Sequence, residues 1–190
     1  MSTSQRESYH HGNLRPALLA QARALLDEGG PEALSLREAA RRAGVSATAT
    51  YRHFQDKEAL LAAVAAEGFR EFAAALTTPL RAGQPFAAMG RAYVEFALAH
   101  PGLFRLIFSP LMRERERYPE LKIASNLAFD ALRGATALAK GGSASDIEST
   151  AIAAWSMVHG LAHLLLDGVL PMERASQCLE AILQTPPLPR

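Results

Sequence analysis

The chain has 190 residues, 49% of them hydrophobic, with 20 Lys and Arg against 19 Asp and Glu. A sizeable core can form, and the near-neutral balance excludes a general polycation, so any affinity for nucleic acid must come from a local patch. The single cysteine, Cys178, cannot make an internal disulfide, which fits a reducing, cytoplasmic setting.

No apolar signal core is read in the polar stretch Met1 to Asn13. The apolar runs further on are broken by His, Gly or charge before the ~18–20 residues of a membrane span. Ala and Leu at helical spacing dominate, and alternating Val, Ile and Thr runs are missing, so the fold class is all-α.

In chain order, residues 1–12 are expected to be a flexible arm. A first helix starts at the N-cap Asn13 and runs from Leu14 to about Glu28, stopped by Gly29-Gly30-Pro31. Ser35-Leu36-Arg37-Glu38 predicts a capping box, in which Ser35 accepts from the Glu38 N–H and Glu38 reaches back. That second helix ends at Gly44. Ser46 caps a short third helix, Ala47 to about His53, and Asp56 caps a fourth, Lys57 to about Leu76, broken at Thr77-Thr78-Pro79.

Beyond lie expected helices over Phe86 to His100, Leu103 to Phe108, Pro119 to about Lys140, and Pro171 to about Gln184. A charged loop or turn covers Leu111 to Tyr118. A second capping box, Ser145-Asp146-Ile147-Glu148, is expected to open a helix to about Gly168 after the linker Gly141-Gly142-Ser143. Pro186-Pro187-Leu188-Pro189 falls in a frayed tail, 186–190. The total is about nine helices, divided into a three-helix DNA-binding domain at 13–58 and a helical bundle at 59–185.

Two short helices joined by Gly44-Val45-Ser46 are what a helix-turn-helix requires. Ala40 permits close approach, Gly44 makes the sharp turn and Val45 plugs the space between the helices. From Ser35 to Lys57 five bases (Arg37, Arg41, Arg42, Arg52, Lys57) face two acids (Glu38, Asp56). Tyr51, His53 and Lys57 sit where a hydroxyl, an imidazole and an ammonium can hold phosphates. The helix N-termini at Ser35, Ser46 and Asp56 add backbone donors, although the Asp56 carboxylate repels a nearby phosphate.

The run from Ser35 to Ser46, then Tyr51-Arg52-His53-Phe54 and Lys57-Glu58-Ala59-Leu60-Leu61, resembles the signature of the tetracycline-repressor (TetR) family, over roughly residues 13–62. Ala154-Trp155-Ser156-Met157-Val158-His159-Gly160 is similar to the Trp-x-x-x-His-Gly motif of one C-terminal subgroup. The resemblance implies that Arg37, Thr48, Ala49 and Arg52 read base edges and that Tyr51, His53 and Lys57 hold phosphates. It places Ser35 and Ser46 as caps pointing at the DNA backbone, with Ala47 also at the tip. Thr50 departs from the pattern: many members carry Leu, Ile or Val there, and its hydroxyl needs a partner once buried.

For the C-terminal half the resemblance implies two long helices that pair with their copies in a second subunit. The helix ending near Gly168 is apolar on more than one face, which supports this independently. Ala151, Trp155, Val158, Ala162, Leu165, Leu179 and Ile182 are the expected interface residues. A sensing cavity is expected among the middle helices, lined by Phe96, Phe104, Phe108, Met112, Phe129, Trp155 and His159. It would take a small apolar or amphipathic effector with one polar group.

His159, His163 and Asp167 share one helix face, and His159 and His163 could geometrically ligate zinc or another divalent metal. No third strong ligand stands out, however, so neither a metal nor another cofactor is expected. His10-His11 reads as an arm near DNA. The expected function is a sequence-specific transcriptional regulator, a repressor by default, that binds a palindromic operator as a homodimer and is released by a small ligand. The alternatives are a DNA-binding dimer that senses nothing, and a metal-dependent helical enzyme using His159 and His163. No nucleophile–base pair or phosphate loop supports the enzyme.

Overall fold

The computed structural model describes residues 14–184, and every regular element among them is helical. The expected arm, the Asn13 cap, His10-His11 and the proline tail lie outside these residues. In order the elements are α1 (Leu14–Ala33), α2 (Leu36–Arg42), α3 (Ala47–Thr50), α4 (Lys57–Arg81), α5 (Ala87–Ala99) and α6 (Pro101–Ile107). A 3-10 segment, Pro110–Arg117, leads into α7 (Pro119–Lys140) and α8 (Ala144–Leu166), and a short one, Met172–Arg174, precedes α9 (Ala175–Gln184).

Local chemistry sets most of these bounds. α1 loses helical geometry at Gly29 and Gly30, where Gly30 takes φ +71, and a last turn from Pro31 completes it. α2 closes in a Schellman motif: the Val45 N–H donates to the Ala40 carbonyl and the Gly44 N–H to that of Arg41, with Gly44 at φ +69. Ser46 and Asp56 cap the next two helices by accepting from the Ala49 and Ala59 N–H groups, at 3.2 and 2.7 Å. α3 is shorter than expected; residues 51–53 form turns, with the His53 and Phe54 N–H groups both donating to the Thr50 carbonyl.

Three expectations are corrected. α4 does not break at Thr77-Thr78-Pro79 but runs on to Arg81. The Thr77 and Thr78 hydroxyls donate to the Ala73 and Ala74 carbonyls in the turn where proline supplies no N–H, and a second Schellman motif, on Gly83, ends the helix. The cap of α8 is Ser143, not Ser145; its hydroxyl oxygen accepts from the Asp146 N–H. The helix expected from Leu103 opens earlier, at Pro101, in a first turn where a missing N–H costs nothing.

α4 is the axis of the molecule. It packs against α1, α5, α6 and α7, and Ala62, Ala63, Ala65 and Ala66 are all buried, so neighbours approach it closely on several sides. A Cβ on Gly68 would lie 2.5 Å from Leu103 Cδ1 of α6. Leu18, Leu26, Leu34, Leu60, Leu103 and Ile107 are completely buried, so one core joins α1 to the bundle.

α8 runs along the bundle's side. Against expectation it is long and apolar enough to cross a membrane by length and composition alone, with a mean hydropathy of 1.3 over an 18-residue window. Only 28% of that window is buried inside the chain.

Candidate DNA-binding face and interior cavity

The turn at Gly44 brings α2 and α3 together with Ala39, Ala40 and Thr50 pointing inward. On the outer side Ser35, Arg37, Ser46, Thr48, Tyr51, Arg52 and His53 are exposed, while Ala47, Ala49 and Lys57 are half-buried. Tyr51, at 53% exposure, is not a core tyrosine. Phe54 is buried beneath, with the Arg15 guanidinium 5.7 Å from its ring centre. The Thr50 hydroxyl, fully buried, finds only the Ser46 carbonyl at 3.5 Å, a weak bond at best.

The five bases counted in this stretch divide into two groups. Arg42 is clamped between Glu28 of α1, at 2.6 Å, and Glu38, at 3.0 Å, and Arg41 donates to both Glu38 oxygens, at 2.7 and 2.9 Å. The two guanidiniums hold the Glu38 carboxyl down to about 2 by hydrogen bonding, from Arg41 first and then Arg42. Occupied in this way, Glu38 does not complete the expected reciprocal half of the capping box; Ser35 supplies its own half, accepting from the Glu38 N–H at 3.1 Å. Arg37, Arg52 and Lys57 have no ion-pair partner among the described residues. The free positive charge of this face therefore rests on three side chains.

In the C-terminal half a cavity of about 1000 Å³ lies between α4, α5, α7, α8 and α9. Phe108, Met112, Phe129, Trp155 and His159 line it, as the sequence suggested. Phe96 and Phe104 do not: both are buried in the core, Phe96 against the Phe72 ring and Phe104 against those of Tyr93 and Phe108.

Tyr93 is the residue that sequence reasoning missed. The Trp155 Nε1–H donates to its oxygen at 3.0 Å, and that oxygen lies 2.7 Å from His159 Nδ1. With no other acceptor among the described residues, the Tyr93 hydroxyl donates to Nδ1, so the proton of the neutral imidazole sits on Nε2. Burial raises the Tyr93 hydroxyl well above its usual range. Burial, aided by His163, pushes His159 down to about 4. Both groups are neutral at pH 7.

His159 and His163 stack edge to face with ring centres 4.6 Å apart, while Asp167 turns away to pair with Arg105 at 2.6 Å. No group of three or more metal-ligating side chains is found among the described residues.

Residues 86–185 match the family described as "Tetracyclin repressor-like, C-terminal domain", and residues 18–64 match "Bacterial regulatory proteins, tetR family". The chain belongs to the TetR family. It is thus a DNA-binding transcriptional regulator of a family that is not enzymatic. A solved structure described as a protein with unknown function from Rhodococcus sp. RHA1 shares 34% identity over 94% of this chain and 95% of its own, with a TM-score of 0.76. The TetR family regulator PfmR from Thermus thermophilus shares 21% identity over 88% of this chain and 97% of its own, with a TM-score of 0.63. The multidrug binding protein EbrR, solved with imidazole, shares 21% over 90% and 96%, with a TM-score of 0.60. Among curated proteins none matches significantly.

Most of the expected interface residues of this TetR-family chain are covered within their own subunit. Ala151, Val158, Ala162, Leu165 and Leu179 are buried inside their own subunit, and Trp155 and Ile182 line the cavity. The inner faces of α8 and α9 carry them. The outward face, about 100° round the helix, carries Ile152, Ser156, Gly160 and Leu164, all exposed.

His159 gives this TetR-family bundle a pH dependence with a definite sign. Between pH 6.5 and about 4 the unfolded chain binds a proton at this imidazole and the folded chain does not. Its contribution is therefore whole above pH 6.5 and is lost as the pH falls towards 4. The loss is on the order of 1–2 kcal/mol, reduced from the full conversion because the ring is only half buried. Wild-type Tm is expected to fall a few degrees more than that of His159→Gln between pH 7 and pH 4.5. Equal falls would assign the acid sensitivity to other groups.

Proposed function

We propose that this chain is a cytoplasmic repressor that binds a palindromic operator as a homodimer and leaves it when a small molecule enters the C-terminal cavity. One observation carries the DNA half of this reading: Thr48, Tyr51, Arg52 and His53 share an exposed side while Thr50 and Phe54 anchor the same segment in the core. In this assignment Arg37, Thr48, Ala49 and Arg52 meet base edges. Tyr51, His53 and Lys57 meet phosphates, and the capped N-termini at Ser35 and Ser46 face the backbone. Ala47 and Ala49 are short, so contact at the tip is with thymine methyls.

The reading divides the chain near residue 58 into a DNA-binding part and a bundle. The stripe Ile152, Ser156, Gly160 and Leu164 supports a second copy as the cover for α8. A Cβ on Gly160 would meet nothing within 4 Å, so a partner helix has room to approach there. The Trp155-x-x-x-His159-Gly160 run then serves two sides, with Trp155 and His159 at the cavity and Gly160 at the seam. The cavity, with Phe69, Phe72, Phe108, Phe129 and Trp155 in its wall, favours a ligand-responsive regulator over a dimer that senses nothing.

The test is selection of the purified protein against a randomised DNA pool at stated salt. A palindromic consensus with half-sites about one helical turn, roughly 34–36 Å, apart is expected. Enrichment of a single unpaired half-site would overturn the dimeric reading, and no enrichment would overturn sequence recognition.

A further inference from the structure

The cavity is drawn out along α7. Its lining on that helix begins at Ser125 and Asn126, continues through Phe129 and Leu132, and ends at Ala139 and Lys140. That is roughly 20 Å of helix. Between those ends most of the wall is apolar or aromatic, and Tyr93, Thr150, His159 and Gln184 supply its uncharged polar groups. His159 Nε2 has no partner among the described residues and is not among their buried polar atoms lacking one, so this N–H donor is open.

The charge of the lining has one sign. Among the described residues that line the cavity there is no Asp or Glu, and the two charged side chains are Arg115 and Lys140. Neither forms an ion pair among the described residues. The acids flanking Arg115 are turned elsewhere, Glu116 to Lys122 at 2.6 Å and Glu114 to Arg117 at 3.7 Å. The Arg115 guanidinium reaches only the Met112 carbonyl, at 3.4 Å. Arg115 lies just before α7 and Lys140 closes it, so each end of the bore carries an unneutralised cation.

We propose that the effector is an anionic amphiphile: an elongated apolar body bearing a carboxylate, its head group at a cationic end and its body along the aromatic wall. This inference rests on the ligand-release reading above and narrows it. A lipophilic cation, lacking any carboxylate to meet it and facing two positive charges, is disfavoured at the same site. Apolar contact supplies affinity, and the end charges supply the choice of head group.

Three probes of equal chain length separate these terms: decanoate, 1-decanol and decylamine, each below its micelle concentration. The full-length protein carries its own reporter, because Trp155 is the only tryptophan and lines the cavity. Quenching of its emission and the rise in Tm both read binding. Decanoate is expected to bind several-fold more tightly than decanol and on the order of tenfold more tightly than decylamine. In an Arg115→Gln, Lys140→Gln double variant the ratio of decanoate to decanol affinity should fall to about one. Both positions are exposed, and the single variants give the same readout if the double one expresses poorly.

Decylamine binding as tightly as decanoate, or an undiminished ratio in the variants, overturns the anionic assignment and leaves ligand release standing. Failure of all three probes to quench Trp155 or to move Tm overturns both.

Discussion

Gly102→Ala should cost about 1–3 kcal/mol and lower Tm by several degrees, although it adds a single methyl group. A Cβ at this position would sit 2.5 Å from the Leu26 carbonyl oxygen and 3.1 Å from its carbon. Those atoms belong to the α1 backbone and cannot swing aside like a side-chain tip. Relief requires α6 to move away from α1, opening a contact that includes the fully buried Leu26, Leu103 and Ile107. The same shift disturbs the helix on which α2 packs, so operator affinity should fall even at temperatures where the variant is folded. Thermal melts and DNA titration check both effects. A variant with wild-type Tm would show that the two helices separate without cost.

The second large effect is at the DNA-facing surface, where Arg52→Ala and Lys57→Ala should differ in kind. Arg52 is exposed and unpaired, on a segment held by buried Thr50 and Phe54. If it reads a guanine, its loss costs about 1–3 kcal/mol on the operator and much less on random DNA. Lys57 opens α4 beside the Asp56 cap, and its loss should weaken both kinds of DNA alike. Titration of each variant against operator and scrambled duplexes separates the cases. Equal losses on both duplexes for both variants would remove the division of labour.

Most of the N-terminal third was legible in the chain because its signals are local. Gly44, Ser46 and Asp56 each act within four residues, through a positive φ or a side-chain cap, and the structure shows each bond where the pattern puts it. What escaped depended on distance or on compensation. Pro79 reads as a stop, and only the back-bonding of Thr77 and Thr78, with the Schellman close on Gly83, lets α4 continue. Glu28 lies 14 residues from Arg42, so a charge count over the motif alone overstates its free cations. Tyr93 reads as one more apolar position beside Met89 and Phe96; its polar role appears only when α8 brings Trp155 and His159 to it. On α8 periodicity marks apolar faces without saying which one faces inward, so the expected seam fell on the buried side.

The Glu28–Arg42–Glu38–Arg41 cluster has a consequence for how tightly ionic strength controls this regulator. Each phosphate that a side chain neutralises releases condensed counterions and steepens the fall of log K with log salt by about 0.9. Arg41 and Arg42 already have carboxylate partners, so on contact with DNA they displace few such ions. The slope should therefore follow the three unpaired cations, chiefly the phosphate-facing Lys57, and run shallower than the composition of the motif suggests. Such a protein can keep its hold on DNA through a rise in cellular osmolarity, leaving occupancy to be governed by base sequence rather than by the surrounding electrolyte.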